Sequence, residues 1–420
     1  MIVRDRDFAL FWGGQAVSLT GSVLTRVATP LLAVLTLHAS PVGLGVLEAA
    51  VWLPFLGLPL LAGAYVDRHR KRPILLTANA VRAVLLGSVP ALAWTGRLTL
   101  PVLCGIALAS GVCEVFFQIA ELAYVPALVG RDRLLAANSS VEAARAGAEL
   151  GGTGLAGIIV QALGPPTAMA IDAGSYVLST LSLVAIRRTE PPIGPPAPGR
   201  RIRHDIGEGL RYVWRSVPIR TIAFQGFVFN GLWQAYNVPF VLYAIRDRRI
   251  GTGWWGLVLA VGGGAALLGS LLAPKVAGRF GYGRAIVAAG FVMATPMLVV
   301  PAVRGPAWLV VAAWAGALAI SGLGNGVVNV LIVTLRARLT PDDLLGRVGA
   351  SARLVVFAGM PIGGFGGGLL AAHLGNLPSL WLTSALGVLS GLVLLPVRGI
   401  GPRSGPDRHN FPEVVASRPC

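Results

Sequence analysis

The sequence predicts an all-α integral membrane protein, with twelve transmembrane helices arranged as two pseudo-symmetric sets of six. Three observations predict it. Of the 420 residues, 55% are hydrophobic and only 13% are charged, about half the charged share of an ordinary soluble domain. The mean hydropathy is +0.71. The apolar residues also fall into a dozen runs, most of them about 20 residues or longer, the length that crosses a bilayer. A soluble globule of this size could not cover so much apolar surface, and a disordered chain would not carry it, so both classes are excluded.

Runs read between charged residues and Pro/Gly breaks give the spans in order. The first, 8–37, follows Arg4, Asp5, Arg6 and Asp7 and is too long for the core of a cleavable signal. The next five are 41–64, 73–96, 99–128, 139–164 and 166–186. The segment Arg187–Ser216 contains Pro191, Pro192, Pro195, Pro196 and Pro198 and then a basic stretch. Proline fixes φ and removes donors, so this reads as a partly extended linker, with a short surface helix over His204–Arg215. The second set is 217–244, 252–275, 284–303, 308–335, 349–374 and 376–396. The Pro- and Arg-rich tail from Gly399 reads as disordered. The domain reading is a six-helix bundle over 1–187, a linker over 188–216, a second bundle over 217–397 and a tail over 398–420.

Basic residues set the orientation. The chain carries 35 Arg and Lys against 18 Asp and Glu, a net charge of +17. With the N-terminus in the cytoplasm, 26 basic residues fall on cytoplasmic segments and the adjoining ends of the spans, and 5 on outer loops. This asymmetry predicts that both termini are cytoplasmic, in a bacterial-type inner (plasma) membrane. The excess is therefore a topology signal and does not point to nucleic acid. Arg246–Arg249 is the one discordant outer cluster.

The two sets echo each other. "GRDRLLAANSS" at 130–140 resembles "TPDDLLGRVGAS" at 340–351, and "LGPP" at 163–166 resembles "LGNLP" at 374–378. Both matches share an offset of about half the chain, the mark of a parallel transporter repeat.

Catalytic and cofactor signals are absent from the sequence. Cys104, Cys113 and Cys420 form no CxxC pair, and the first two read as packing residues. The five histidines have no metal-ligand spacing, and no P-loop, HExxH or GxSxG occurs. No cofactor, no metal and no enzymatic activity are expected.

The loop after the second span reads Gly63-Ala-Tyr-Val-Asp67-Arg68-His-Arg70-Lys71-Arg72. It resembles the cytoplasmic signature of the major facilitator superfamily, with Arg70 at a usual glycine and Tyr65 at a usual aliphatic. Further pieces resemble the enterobactin-exporter and macrolide-efflux-like branch: "DFALFWGGQAVSLTGS" at 7–22, "LGPPTAMAIDAGSYVLSTLSL" at 163–183, "DIGEGLRYVWR" at 205–215 and "LTPDDLLGRV" at 339–348. That branch often has an acid after the glycine of the first span, where this chain has Ser22 after Gly21. The resemblance implies a secondary transporter, usually a proton-driven exporter. It also implies a gate latch in which Asp67 and Lys71 meet Glu121, within a gating motif of Gly63, Asp67, Arg68, Lys71, Arg72 and Glu121. Gly152-Thr153-Gly154-Leu155-Ala156-Gly157 resembles the family's antiporter glycine motif, with Thr153 at its proline. Gly359, Gly363 and Gly367 repeat the spacing, and small residues of this kind let helix backbones approach and slide.

Ionisable residues inside a membrane are functional candidates by default. All the acidic ones lie in the first half: Glu48, Glu114, Glu121, Glu142, Glu149 and Asp172. Glu142, Arg145 and Glu149 can form an ion ladder along one helix face, or Arg145 and Glu149 can serve transport. Glu48 and Arg26 can pair near the outer side. A proton-coupling carboxylate must sit in a poorly solvated cavity and exchange protons with water. Glu114 has no basic residue within a turn on its own helix and is the first candidate, although Arg82 on the third span could reach it. Glu149 and then Asp172 follow. Gln118 continues the Glu114–Glu121 stripe.

In the second half, Asn230, Gln234 and Asn237 recur at helical spacing beside Trp233, as do Asn325 and Asn329. These stripes read either as a cavity wall or as interhelical hydrogen bonds, which average about 0.6 kcal/mol each. The substrate-cavity candidates are thus Arg26, Arg82, Gln118, Arg145, Asn230, Trp233, Gln234, Asn237, Asn325 and Asn329. Amides and aromatics facing carboxylates would suit an amphipathic, cationic solute.

The reading is a proton-coupled exporter of a small amphipathic molecule (a drug, a siderophore or a secondary metabolite) working by alternating access. Its expected partners are the solute, protons and the lipid bilayer, with no nucleic acid, and the chain is expected to be monomeric. The alternatives are an importer or uniporter of the same fold or, in another class, a non-transporting scaffold or receptor.

Overall fold

The computed structural model describes residues 5–130, 133–188, 190, 202–341 and 344–399. The proline-rich part of the linker and the tail beyond Gly399, with Cys420, lie outside the described residues.

Among the described residues the chain is helical and has no strand. The first six spans are Arg6–Leu35, Pro41–Arg68, Lys71–Trp94, Leu100–Val129, Leu134–Leu163 and Pro165–Ala185. The last six are Val217–Leu242, Thr252–Phe280, Tyr282–Ala302, Ala307–Leu339, Leu345–Leu374 and Asn376–Val397. Eleven of them are long and apolar enough to cross a membrane by length and composition alone. The seventh, Val217–Leu242, is long enough but carries Gln225, Asn230, Gln234 and Asn237, which lower its hydropathy. Of its amides, Asn230 and Asn237 bond within the helix, and Gln234 bonds to Glu48 of the second span.

Local chemistry sets the boundaries. Asp5 caps the first span by accepting from the N–H groups of Asp7 and Phe8 at 3.2 and 3.4 Å. Gly164 and Gly375 stop the fifth and eleventh spans at φ +80° and +86°, and each hands over directly to the next helix. The second span is not the continuous helix that its apolar run predicts. It breaks into Pro41–Trp52, a 3-10 turn at Leu53–Phe55 and a second helix from Leu58, because Pro54 removes a donor and Gly57 sits at φ +91°. The ninth span is interrupted at Thr295–Leu298 by Pro296.

A helix forms over Ile202–Arg215, two residues earlier than predicted, and docks on the second half. There Glu208 meets Arg347 at 2.5 Å, and the Tyr212 hydroxyl donates to the Leu339 carbonyl at 2.7 Å.

The even number of spans per half brings the start of the first span, the linker helix and the end of the twelfth span to one face, the terminal face. The opposite face is the far face. Near the far face one apolar core is shared by both halves: Leu31, Leu44 and Leu47 pack with Tyr236, Phe240, Trp255 and Trp314. Towards the terminal face the core divides. Phe8, Phe11, Val66, Leu75 and Tyr124 cluster within the first half, whereas Ile222, Ala285, Ile286 and Leu331 cluster within the second.

The seams between the halves show the same asymmetry. Gly45 of the second span packs on Gly364 and Gly368 of the eleventh, and Gly157 of the fifth packs on Gly256 of the eighth, all in the far-face parts of their helices. The halves are therefore closed at the far face and parted at the terminal face. Trp94, Trp254 and Trp308 project outward at the far-face ends of their helices, where the rings of such residues anchor at a bilayer interface.

Candidate functional site

Five spans of the first half build a polar core. Arg82 of the third span meets Glu114 of the fourth at 2.5 Å. Gln118 Nε2 donates to the other Glu114 oxygen at 2.6 Å. The same guanidinium lies 4.1 Å from the centre of the Tyr176 ring, a cation–π contact. The Tyr176 hydroxyl in turn shares a hydrogen bond of 2.7 Å with Ser22. One turn along the first span, the Thr25 hydroxyl donates to Asp172 at 2.5 Å, and Ser175 donates to its other oxygen at 3.0 Å.

Asp172 is fully buried. A Cβ on Gly21 would fall 2.4 Å from its Oδ1. The first span has Ser22 where the resembling branch often has an acid, but a carboxylate from the sixth span occupies the neighbouring space. Gln15, Ser18, Ser22, Arg82, Glu121 and Arg145 are among the residues that enclose a cleft of about 10 Å³ here, room for about one water.

Several expected pairings are corrected. Glu114 is not a lone carboxylate, because Arg82 reaches across from the next helix. The Glu142–Arg145–Glu149 ladder forms only in part: Arg145 approaches Glu142 and Glu121, each at 3.8 Å. Glu149 is held instead by Arg26 at 2.8 Å. Arg26 therefore does not pair with Glu48. Arg26 and Arg82 reach carboxylates on neighbouring helices, and Arg145 is shared between Glu142 on its own helix and Glu121 on the fourth span.

The gating residues are placed differently from the implied latch. Glu121 is buried and accepts from Gln15 Nε2 at 2.8 Å. The acid at the loop is Glu190, which accepts from the backbone N–H of Lys71 at 2.9 Å and also from that of Arg72, a carboxylate at a helix N-terminus. The Arg72 side chain donates to the carbonyls of Leu183 and Val184 at 3.2 and 2.9 Å. These bonds tie the third span to the end of the sixth within one half. Asp67 and the Lys71 ammonium have no hydrogen-bond or ion-pair partner among the described residues, and Arg68 is exposed. Gly63 has open space around its Cα.

The amide stripes of the second half separate. Asn230, Asn325 and Asn329 line a cavity of about 130 Å³ with Gln225, Phe229 and Arg336. Asn329 donates to Asn325 at 3.1 Å, and Asn230 donates to the Gly226 carbonyl at 2.9 Å. Trp233, Gln234 and Asn237 lie outside that lining. Trp233 stacks between Phe229 and Tyr236 at centroid distances of 6.4 and 6.0 Å. Asn237 donates to Gln234 at 3.1 Å, and Gln234 donates across the halves to Glu48 at 3.2 Å.

Two residues outside the expected site thus join the halves. Glu48 does so through Gln234, and its isolation from basic residues on its own helix was the available signal. Arg246, from the discordant cluster, donates to the carbonyls of Val34 and Ala39 at 3.4 and 2.8 Å. The basic cluster that breaks the charge pattern supplies a clasp at the far face.

Comparison with known proteins decides the family. The description of the Major Facilitator Superfamily matches residues 11–362. The chain belongs to that superfamily. This Major Facilitator Superfamily protein is a membrane transporter and not an enzyme. It is 28% identical over 356 residues to the multidrug efflux pump Tap of Mycolicibacterium fortuitum, with 82% of this chain and 84% of the pump covered. It is 25% identical over 406 residues to the uncharacterized MFS-type transporter y4rN of Sinorhizobium fredii, with 95% and 96% covered. Among solved structures it is similar in fold to a bacterial homologue of the iron transporter ferroportin in an inward-facing state, at a TM-score of 0.75 and 19% identity over 94% of this chain and 99% of the other. The nucleoside transporter NupG superposes at 0.72, with 12% identity over 94% and 99%.

Proposed function

We propose that this transporter is a proton-coupled exporter of small amphipathic molecules and that its terminal face is cytoplasmic. One observation carries the reading: the halves share an apolar core at the far face and have separate cores towards the terminal face. With the basic-residue asymmetry placing the terminal face in the cytoplasm, this is the form that receives a solute from inside. The similarity to multidrug efflux pumps supports outward transport.

The polar cores suit the cargo. In the first half Glu114, Glu121, Glu142, Glu149 and Asp172 face only three guanidiniums, those of Arg26, Arg82 and Arg145. The second half contributes amides and apolar side chains, with the Arg336 guanidinium towards the terminal end of its cavity. A cation with an apolar body would be held between the two. The Asp67 and Lys71 side chains, without partners among the described residues while the terminal face is open, would act when that face closes.

The test is transport of ethidium, a cationic amphiphile, in inside-out vesicles. An acid-inside gradient should drive accumulation of the dye against its gradient, and dissipating the gradient should abolish this. Dye that only equilibrates would make the chain a uniporter, and dye that leaves the lumen would reverse the direction.

A further inference from the structure

The first-half carboxylates are provided for: Glu114 by Arg82, Glu149 by Arg26, Glu121 by Arg145 and Gln15, and Asp172 by Thr25 and Ser175. Glu48 differs in both respects that matter. It sits on the seam between the halves, and its one polar partner among the described residues is the Gln234 amide of the other half, at 3.2 Å.

Its surroundings are built around that seam. One turn towards the far face, Gly45 packs backbone to backbone against Gly368. Beside it, a Cβ on Gly364 would lie 3.0 Å from the Cβ of Glu48. One to two turns towards the terminal face, Trp52 and Phe55 stack on Phe357 of the eleventh span at 6.2 and 6.3 Å. The carboxylate is thus bracketed by a glycine seal and an aromatic layer.

No charged group faces it from the helices packed on the second span. The first span offers Arg26, which is held by Glu149, and the fourth offers Glu114, which is held by Arg82. The seventh offers the Tyr236 hydroxyl, which is buried without a partner among the described residues; its Arg220 and the following Arg246 stand roughly 21 and 18 Å along the helix from Gln234 at 1.5 Å per residue, and donate to the carbonyls of Trp214 and Ala39. On the eleventh, Arg353 and His373 stand roughly 16 and 14 Å along the helix from Gly364 at 1.5 Å per residue.

We propose that Glu48 is the group through which proton binding closes the far-face seam. This rests on the reading of the chain as a proton-coupled carrier and assigns its coupling residue. With a proton added, the side chain goes from −1 to neutral and can stay at the half-buried seam bonded to Gln234. Once that proton leaves to water on the terminal side, an unpaired charge is left between the halves. Burial penalises a charge without a counterion, so the seam parts at the far face and Glu48 is hydrated from outside. One proton taken up outside and released inside is then linked to one cycle of the halves. The ion pairs of Glu114 and Glu149 lie within one half and are not broken by the halves' separation, so they lack this link.

The test reads conformation and needs no knowledge of the cargo. Spin labels are placed at Leu163→Cys and Trp254→Cys, both exposed at the far-face ends of the fifth and eighth spans, after replacement of Cys104, Cys113 and Cys420 by serine. Distances are measured in lipid nanodiscs by electron–electron resonance as a function of pH. The otherwise unaltered protein should pass from a short distance at low pH to a longer one at high pH. Glu48→Gln should hold the short distance throughout, and Glu48→Asp, which keeps the charge, should retain the transition at a moved midpoint. Glu208→Gln, which removes a carboxylate from the linker helix, should leave the transition in place. A Glu48→Gln protein that still opens with rising pH, or a Glu48→Asp midpoint that stays put, would overturn the assignment while leaving proton coupling standing. Absence of any pH transition in the unaltered protein would overturn both.

Discussion

Arg82 shows how much of this site rests on single side chains. It is nearly buried, holds Glu114 and lies on the Tyr176 ring. Truncating one member of such a pair leaves the other desolvated and unpaired, a loss of about 3–5 kcal/mol when both are buried. Because the Glu114 side chain is 26% exposed, Arg82→Gln should cost about 3 kcal/mol, the low end of that range. The double variant Arg82→Gln/Glu114→Gln should recover more than half of the loss, because no charge is then left alone. Thermal unfolding of the detergent-purified proteins measures both. A double variant as unstable as the single would mean that Arg82 acts through packing on Tyr176.

At the scale of helices, the glycine seams decide how the halves meet. In a membrane, helix association draws little on the hydrophobic effect, and close backbone approach takes its place. A Cβ at Gly157 would sit 2.7 Å from both Gly256 Cα and the Thr252 carbonyl oxygen, so no side chain fits while the far face is closed. Overpacking of this kind costs about 1–3 kcal/mol, and here the penalty falls on the closed form alone. Gly157→Leu should therefore populate the form open at the far face. Thr252→Cys, buried in the seam, should then react several-fold faster with a membrane-impermeant maleimide. An unchanged rate would show that the seam tolerates the side chain by local repacking.

The broken second span belongs to the same scale. Pro54 and Gly57 separate a far-face segment packed on the eleventh span from a terminal segment packed on the fourth. The apolar run alone reads as one helix, since proline and glycine are tolerated within spans.

For the molecule as a whole, the basic-residue count remains the argument for orientation. It predicts that Cys420 resists an impermeant thiol reagent in intact cells and reacts after lysis, in a background without Cys104 and Cys113. Labelling in intact cells would turn the molecule over, and the open cavity would then receive its solute from outside.

The number of spans, their order and the chemistry available inside the bilayer are legible in the chain alone. Span length and apolarity are local properties of the chain, imposed by bilayer thickness and by the need of each helix to satisfy its own backbone. The stripes at 114–121, 230–237 and 325–329 were legible for the same reason, since helical periodicity fixes which residues share a face. The partners of these groups are set by how the helices pack. Glu149 chose Arg26 over Arg145 one turn away, Glu114 found Arg82, and Asn230 and Gln234 on one stripe went to a cavity and to the seam respectively. Such pairings depend on how neighbouring helices are rotated and how deeply they are set, and no local sequence encodes either. The Arg246 clasp and the position of Glu48 at the joint between halves emerge only when residues some 190 to 210 apart are brought together.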